Sequence, residues 1–173
     1  MTVDAVVLDP EDSIYRGAGS RLVRAWLLTA VTDGLFSSVL AAFFYGSTVT
    51  RLWQGVASVL IGAVAFEGGA HTALIGLVMH FGVAFGWAAV FLFVVMRLPL
   101  VRRVLATRYG VAKVAAVYGP FIWMMMSIVI VPRFTHRSPT FNYRWWIQFF
   151  GHIPFVALPI VAAVSDKLPF RDR

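Results

Sequence analysis

The 173-residue sequence contains no cysteine. That excludes disulfides, thiolate zinc sites, Cys-ligated iron–sulfur clusters and haem attached through CxxCH. Acidic residues are scarce, 8 Asp and Glu against 15 Lys and Arg. Charged residues make up 13% of the chain, where soluble domains carry about 25%. No P-loop, GxSxG, HExxH or Rossmann glycine pattern is present. No nucleophile stands beside a base in a readable pattern, so the sequence predicts no enzyme. The pI is near 10.6, yet no basic helix face interleaved with aromatics exists, and nucleic-acid binding is not expected.

What the sequence has in abundance is apolar. Hydrophobic residues reach 60% and aromatics 15%, against about 45–50% apolar in an average soluble domain. A spanning helix needs about 20 mainly apolar residues. Four stretches qualify: Ala25 to Thr48, interrupted by Asp33; Thr72 to Met96; Val111 to Val131; and Trp145 to Ser165. A fifth, Leu52 to Phe66, would reach only about 22 Å against a hydrocarbon core of about 30 Å. Gln54, Ser58 and Gly62 recur along it every four residues. It is predicted to lie at the interface or to dip in from the outer side. The expected fold is therefore all-α: a polytopic up-down bundle of four transmembrane helices, plus a short interfacial helix after the first.

The predicted organisation is a cytoplasmic tail over 1–20, a transmembrane domain over 21–166 and a cytoplasmic tail over 167–173. The first residues carry Asp4, Asp9, Glu11 and Asp12, unlike a signal peptide. Arg16, Arg21, Arg24, Arg97, Arg102, Arg103, Arg108, Lys113, Lys167, Arg171 and Arg173 fall on one side of the predicted bundle; only Arg51, Arg133, Arg137 and Arg144 fall on the other. The richer side faces the cytoplasm, which predicts a bacterial inner-membrane protein with both termini inside. Trp26, Trp53, Trp145 and Trp146 fall near predicted helix ends, as an interfacial aromatic belt requires.

Ionisable groups inside a bilayer are costly and mark sites. Asp33 shares a helix face with Thr29 and Ser37. It reads either as a carboxyl satisfied by neighbouring hydroxyls or as part of a proton or ion path. His80 and His152 lie at matched depth on two helices of the same direction, within the similar stretches GLVMHFGVA and FFGHIPFVA. The pair reads as interhelical hydrogen bonding, as ligands of one haem or chlorophyll-type pigment, or as a proton path. Gln148, four residues before His152, is a local partner for it. Gly76, Gly82 and Gly86 are predicted to pack helices closely, the last two as GxxxG. Glu67 and His71 lack a third ligand, so no metal site is expected. Pro120, Pro154 and Pro159 are expected to bend their helices.

The stretch RLWQGVASVLIGAVAFEGGAHTALIGLVMHF, residues 51–81, resembles a group of small bacterial inner-membrane proteins of unknown function. The likeness rests on Arg51, Gln54, Ala57, Ser58, Gly68, Gly69, Thr72, Ala73, Gly76, Leu77 and His80, and on Gly151 with His152. It implies a four-helix membrane protein and brings no activity or cofactor. The functional expectation is a non-enzymatic accessory or assembly subunit. It would be embedded in lipid and packed against other subunits of a larger membrane complex, plausibly an energy-converting one. The alternatives are a haem- or pigment-binding electron carrier using His80 and His152, and a proton or ion path through Asp33.

Overall fold

The structure, a computed structural model, describes residues 17–166. The expected C-terminal tail over 167–173, and all but the last four residues of the expected N-terminal tail, lie outside them. The described chain is all-α. Its helices are α1 (Ala18–Phe44), α2 (Val49–Phe66), α3 (Gly69–Arg97), α4 (Pro99–Leu105), α5 (Gly110–Thr135) and α6 (Tyr143–Ser165). All but α4 are long and apolar enough to cross a membrane, by length and composition.

That makes five such helices, one more than the sequence count of four. The addition is α2, which starts at Val49 rather than Leu52. The Thr48 hydroxyl caps it, accepting from the Arg51 N–H at 3.1 Å. Straight, its 18 residues would reach about 27 Å. But α2 is not straight. It is α-helical over Val49–Ile61, turns at Gly62 with φ 69° and ψ −155°, and continues as a 3₁₀ helix over Gly62–Phe66. Only glycine takes that backbone readily. The Arg51 guanidinium then lies 4.1 Å from the Phe66 ring centroid. A straight helix would hold their Cα atoms about 22 Å apart, more than an Arg and a Phe side chain can bridge. The two ends of α2 come together.

Close backbone contact fixes α2 on α3. A Cβ on Gly76 would run into the Trp53 carbonyl oxygen. Gln54 donates to the Gly69 carbonyl at 3.1 Å, and Thr72 to that of Ala65 at 2.6 Å. At the far side of the bundle, α1 and α6 run antiparallel. Arg24 pairs with Asp166 at 3.0 Å and Arg21 donates to the Val164 carbonyl at 2.7 Å. At their other ends the Arg144 guanidinium lies 4.5 Å over the Tyr45 ring.

The end where α1 begins and α6 finishes is densely packed. Phe91, Leu92 and Met96 of α3 interlock there with Leu105 of α4, Tyr118 of α5, and Ile160, Val161 and Val164 of α6. Without a hydrophobic drive between helices in lipid, such contacts and interhelical hydrogen bonds hold a bundle. The bonds land on backbone carbonyls: Trp26 Nε1 on Phe81 at 2.8 Å and Tyr118 Oη on Trp87 at 2.8 Å.

Several sequence expectations shift. Three π-helical turns occur, at Leu40–Phe44, Met125–Ile130 and Ile153–Ala157. One contains Pro154, whereas Pro120 stays within the α-helical Gly110–Met124. Glycines that pack closely against a different helix include Gly76, Gly110, Gly119 and Gly151, whose added Cβ atoms would collide with Trp53, Val104, His152 and Phe36 respectively. At Gly82 and Gly86 a Cβ would meet nothing within 4 Å, so the expected GxxxG contact is not made within the described residues. Of the four tryptophans assigned to an interfacial belt, only Trp146 is strongly exposed, at 48%; Trp53 and Trp145 are buried, at 9% and 8%.

Candidate functional site

Towards the opposite end the helices part. A cavity of about 960 Å³ opens between α1, α2, α3, α5 and α6, at the upper end of volumes usual for small-molecule sites. Most of its wall is apolar, from Val56, Val59, Leu60, Val83, Ile122 and Ile130 among others. The expected polar face of α1 turns inward: Thr29, Asp33 and Ser37 all line it, and so do His80, Gln148 and His152. The long-range pairing of those side chains is a matter of helix register, which a single sequence leaves open.

Each histidine is fixed by a carbonyl and a tryptophan, in different ways. His80 Nε2 is 2.9 Å from the Ala30 carbonyl of α1. A carbonyl only accepts, so Nε2 carries the hydrogen. The other ring nitrogen, Nδ1, faces Asp33 Oδ2 at 3.8 Å. The Trp53 ring packs 5.1 Å from this imidazole. His152 instead donates through Nδ1 to the Gln148 carbonyl of its own helix at 2.8 Å, and packs 4.9 Å from Trp123. Gln148 is thus the local partner expected, through its backbone rather than its side chain. The two stretches that read as similar hold their histidines through opposite ring nitrogens.

This geometry bears on ligation. A haem held by both histidines needs one nitrogen from each directed at the same iron. His152 has Nε2 uncommitted, while His80 offers only Nδ1, and that faces a carboxylate. Among the described residues no three His, Asp or Glu gather as a metal site, Glu67 and His71 included.

Among the described residues, Asp33 Oδ1, Tyr45 Oη, Trp123 Nε1 and Gln148 Oε1 are buried without a hydrogen-bond partner. All four residues line this one cavity. Two arginines complete its wall. Arg51 stacks on Phe66, and Arg144 stacks on Tyr45 while its Nε donates to Tyr143 Oη at 3.0 Å. Among the described residues neither pairs with a carboxylate.

Sequence reasoning missed Trp53, Trp123, Arg51 and Arg144 as site residues. Their signal was present, since tryptophan and arginine beside an apolar run can serve a site as well as an interface, but nothing local chooses between the two. The residues that carry the family resemblance turn out to be structural neighbours. Arg51, Gln54, Thr72, Gly76 and His80 make the contacts that seat α2 and anchor α3 to α1. Comparison with known proteins gives no matching family model, no similar curated protein and no similar solved structure.

Proposed function

We propose that this chain is a non-enzymatic, multi-pass membrane protein that holds a lipophilic ligand in its cavity. In this reading α1, α3, α5 and α6 cross the bilayer up and down, and α2 enters and leaves by one face. On the same reading the bundle sits in a bacterial inner membrane, and the Lys and Arg distribution supports both termini being cytoplasmic, with the cavity towards the opposite face. One observation carries the binding role: the four partnerless polar atoms converge on a single, mostly apolar space. Buried polar groups without partners are rare and costly, more so away from water. Water alone fits poorly in so large an apolar volume, because each buried molecule needs 2–4 polar partners. A ligand with an apolar body and a few hydrogen-bonding atoms matches both features.

The test is native mass spectrometry of the full chain in mild detergent. Collisional activation is expected to eject a small molecule from the folded protein. Gly82 lines the cavity and has open space beside it, so Gly82→Trp should fill the cavity and abolish the release. A folded wild type that never carries such a molecule would refute the reading.

A second reading, an accessory subunit of a larger membrane complex, is favoured by the outer surface. Phe43 and Phe44 are 79% and 69% exposed on a π-helical turn, and Gly86 leaves room for a partner helix. Comigration with a large complex in native gels supports it; a stable lone monomer removes it.

A further inference from the structure

Exposed residues line the cavity in two places, and they differ in kind. Val83 sits 14 residues into α3, about 21 Å along the helix axis. It is 39% exposed, and Leu60 near the end of the α-helical part of α2 is 59% exposed; both line the cavity. An opening flanked by apolar side chains part-way along a helix faces sideways, towards acyl chains. At the end of the bundle the wall holds Arg51, Arg144, Thr140 and Asn142 instead.

The charge balance of this space is positive. Against Arg51 and Arg144 stands one carboxylate in the described wall, Asp33, 3.8 Å from His80 Nδ1. No carboxylate among the described residues matches either arginine. Both guanidiniums lie against aromatic rings, at 4.1 and 4.5 Å, so their planes are held; Arg144 spends donors on Tyr143 Oη and the Tyr45 carbonyl and keeps others for a ligand. A fixed guanidinium is suited to phosphate and carboxylate oxygens.

We infer that the ligand is an anionic phospholipid. Its headgroup is held by Arg51 and Arg144, and one acyl chain lies in the cavity after entering past Leu60 and Val83. The inference rests on the binding role proposed above and adds the ligand's charge, orientation and route.

The experiment titrates the detergent-solubilised full chain with phosphatidylglycerol and phosphatidylcholine of identical acyl chains, with bound lipid counted by native mass spectrometry. One phosphatidylglycerol is expected to bind about tenfold more tightly than phosphatidylcholine, as attraction to two arginines provides. That preference should fall to about twofold in R51Q/R144Q, persist in R103Q/R108Q, whose arginines lie at the opposite end, and survive in Arg51→Lys. Thermal melts confirm that each variant is folded. Equal binding of the two lipids to wild type, with both lost in Gly82→Trp, overturns the headgroup assignment and leaves the cavity reading standing. Lipid binding that Gly82→Trp does not change overturns both. Displacement of the lipid by millimolar inorganic phosphate makes the free anion the ligand and overturns the lipid assignment.

Discussion

The hydroxyl of Thr32, 2.7 Å from the Leu28 carbonyl of its own helix, also reaches the carbonyl of Phe155 at 2.6 Å. In a regular helix that carbonyl would accept from residue 159, which is a proline with no N–H to give. Thr29 likewise donates to the Val156 carbonyl at 3.3 Å. Helix α1 thus supplies a donor at the carbonyl that Pro159 leaves without one. Thr32→Val, close in shape, should destabilise the protein by about 1–2 kcal/mol, the worth of such a bond in a membrane. Pro159→Ala returns a local donor and should shrink that cost. Unfolding of both single variants and the double variant in mixed micelles checks this. Additive costs would show that Thr32 does not stand in for the proline.

Two glycines on α3 should behave oppositely. A Cβ at Gly76 meets the Trp53 backbone, which cannot swing away. Gly76→Ala should therefore cost about 1–3 kcal/mol by overpacking and loosen α2. Gly86 faces open space, and Gly86→Ala should stabilise by about 0.5–1 kcal/mol through helix propensity. Melting temperatures of the pair report the sign of each.

The path of α2 can be read with single cysteines, since the chain has none to remove. Thr50 and Glu67 are exposed near its two ends. Thr50→Cys and Glu67→Cys should both react with an impermeant maleimide added to one face of sealed vesicles, and Arg103→Cys only from the other. Labelling of positions 50 and 67 from opposite faces would make α2 a fifth crossing and put the termini on different sides.

His80 should matter more to stability than Asp33. Asp33→Asn removes a single contact, at 3.8 Å. His80→Ala removes that contact, the Ala30 hydrogen bond and the Trp53 stacking together. The expected loss for His80→Ala is about 2–3 kcal/mol, and a double-mutant cycle with Asp33→Asn should give a coupling of at least about 0.5 kcal/mol. A coupling near zero would mean the two side chains do not interact. If the pair also conducts protons, Asp33→Asn should lower proton flux into reconstituted vesicles.

Much of the architecture was legible because lipid imposes a crude rule on sequence. Long apolar runs mark α1, α3, α5 and α6 without any knowledge of their packing. The inward face of Thr29, Asp33 and Ser37 followed from helical spacing alone. The fold-back of α2 was not legible, although Gly62 stood in the stripe that drew notice. Glycine permits a left-handed backbone at no stated place, and only the Arg51–Phe66 contact shows that it is used here. Gly82 and Gly86 face open space within the chain, since small residues permit contact without requiring it. Trp53 read as an interfacial anchor and is instead a buried wall of the cavity, because burial depends on the neighbouring helix rather than on distance from a helix end.

The dense packing of Phe91, Leu92 and Met96 against Tyr118 and Ile160 has a consequence for traffic. It is a floor. The hollow half of the molecule ends on it, with exposed lining residues at the mouth and part-way along α3. A molecule that enters must leave by the face it came from or slip back among the acyl chains. On the proposed reading the protein would serve as a berth on one leaflet, and passage to the other would require the floor to come apart.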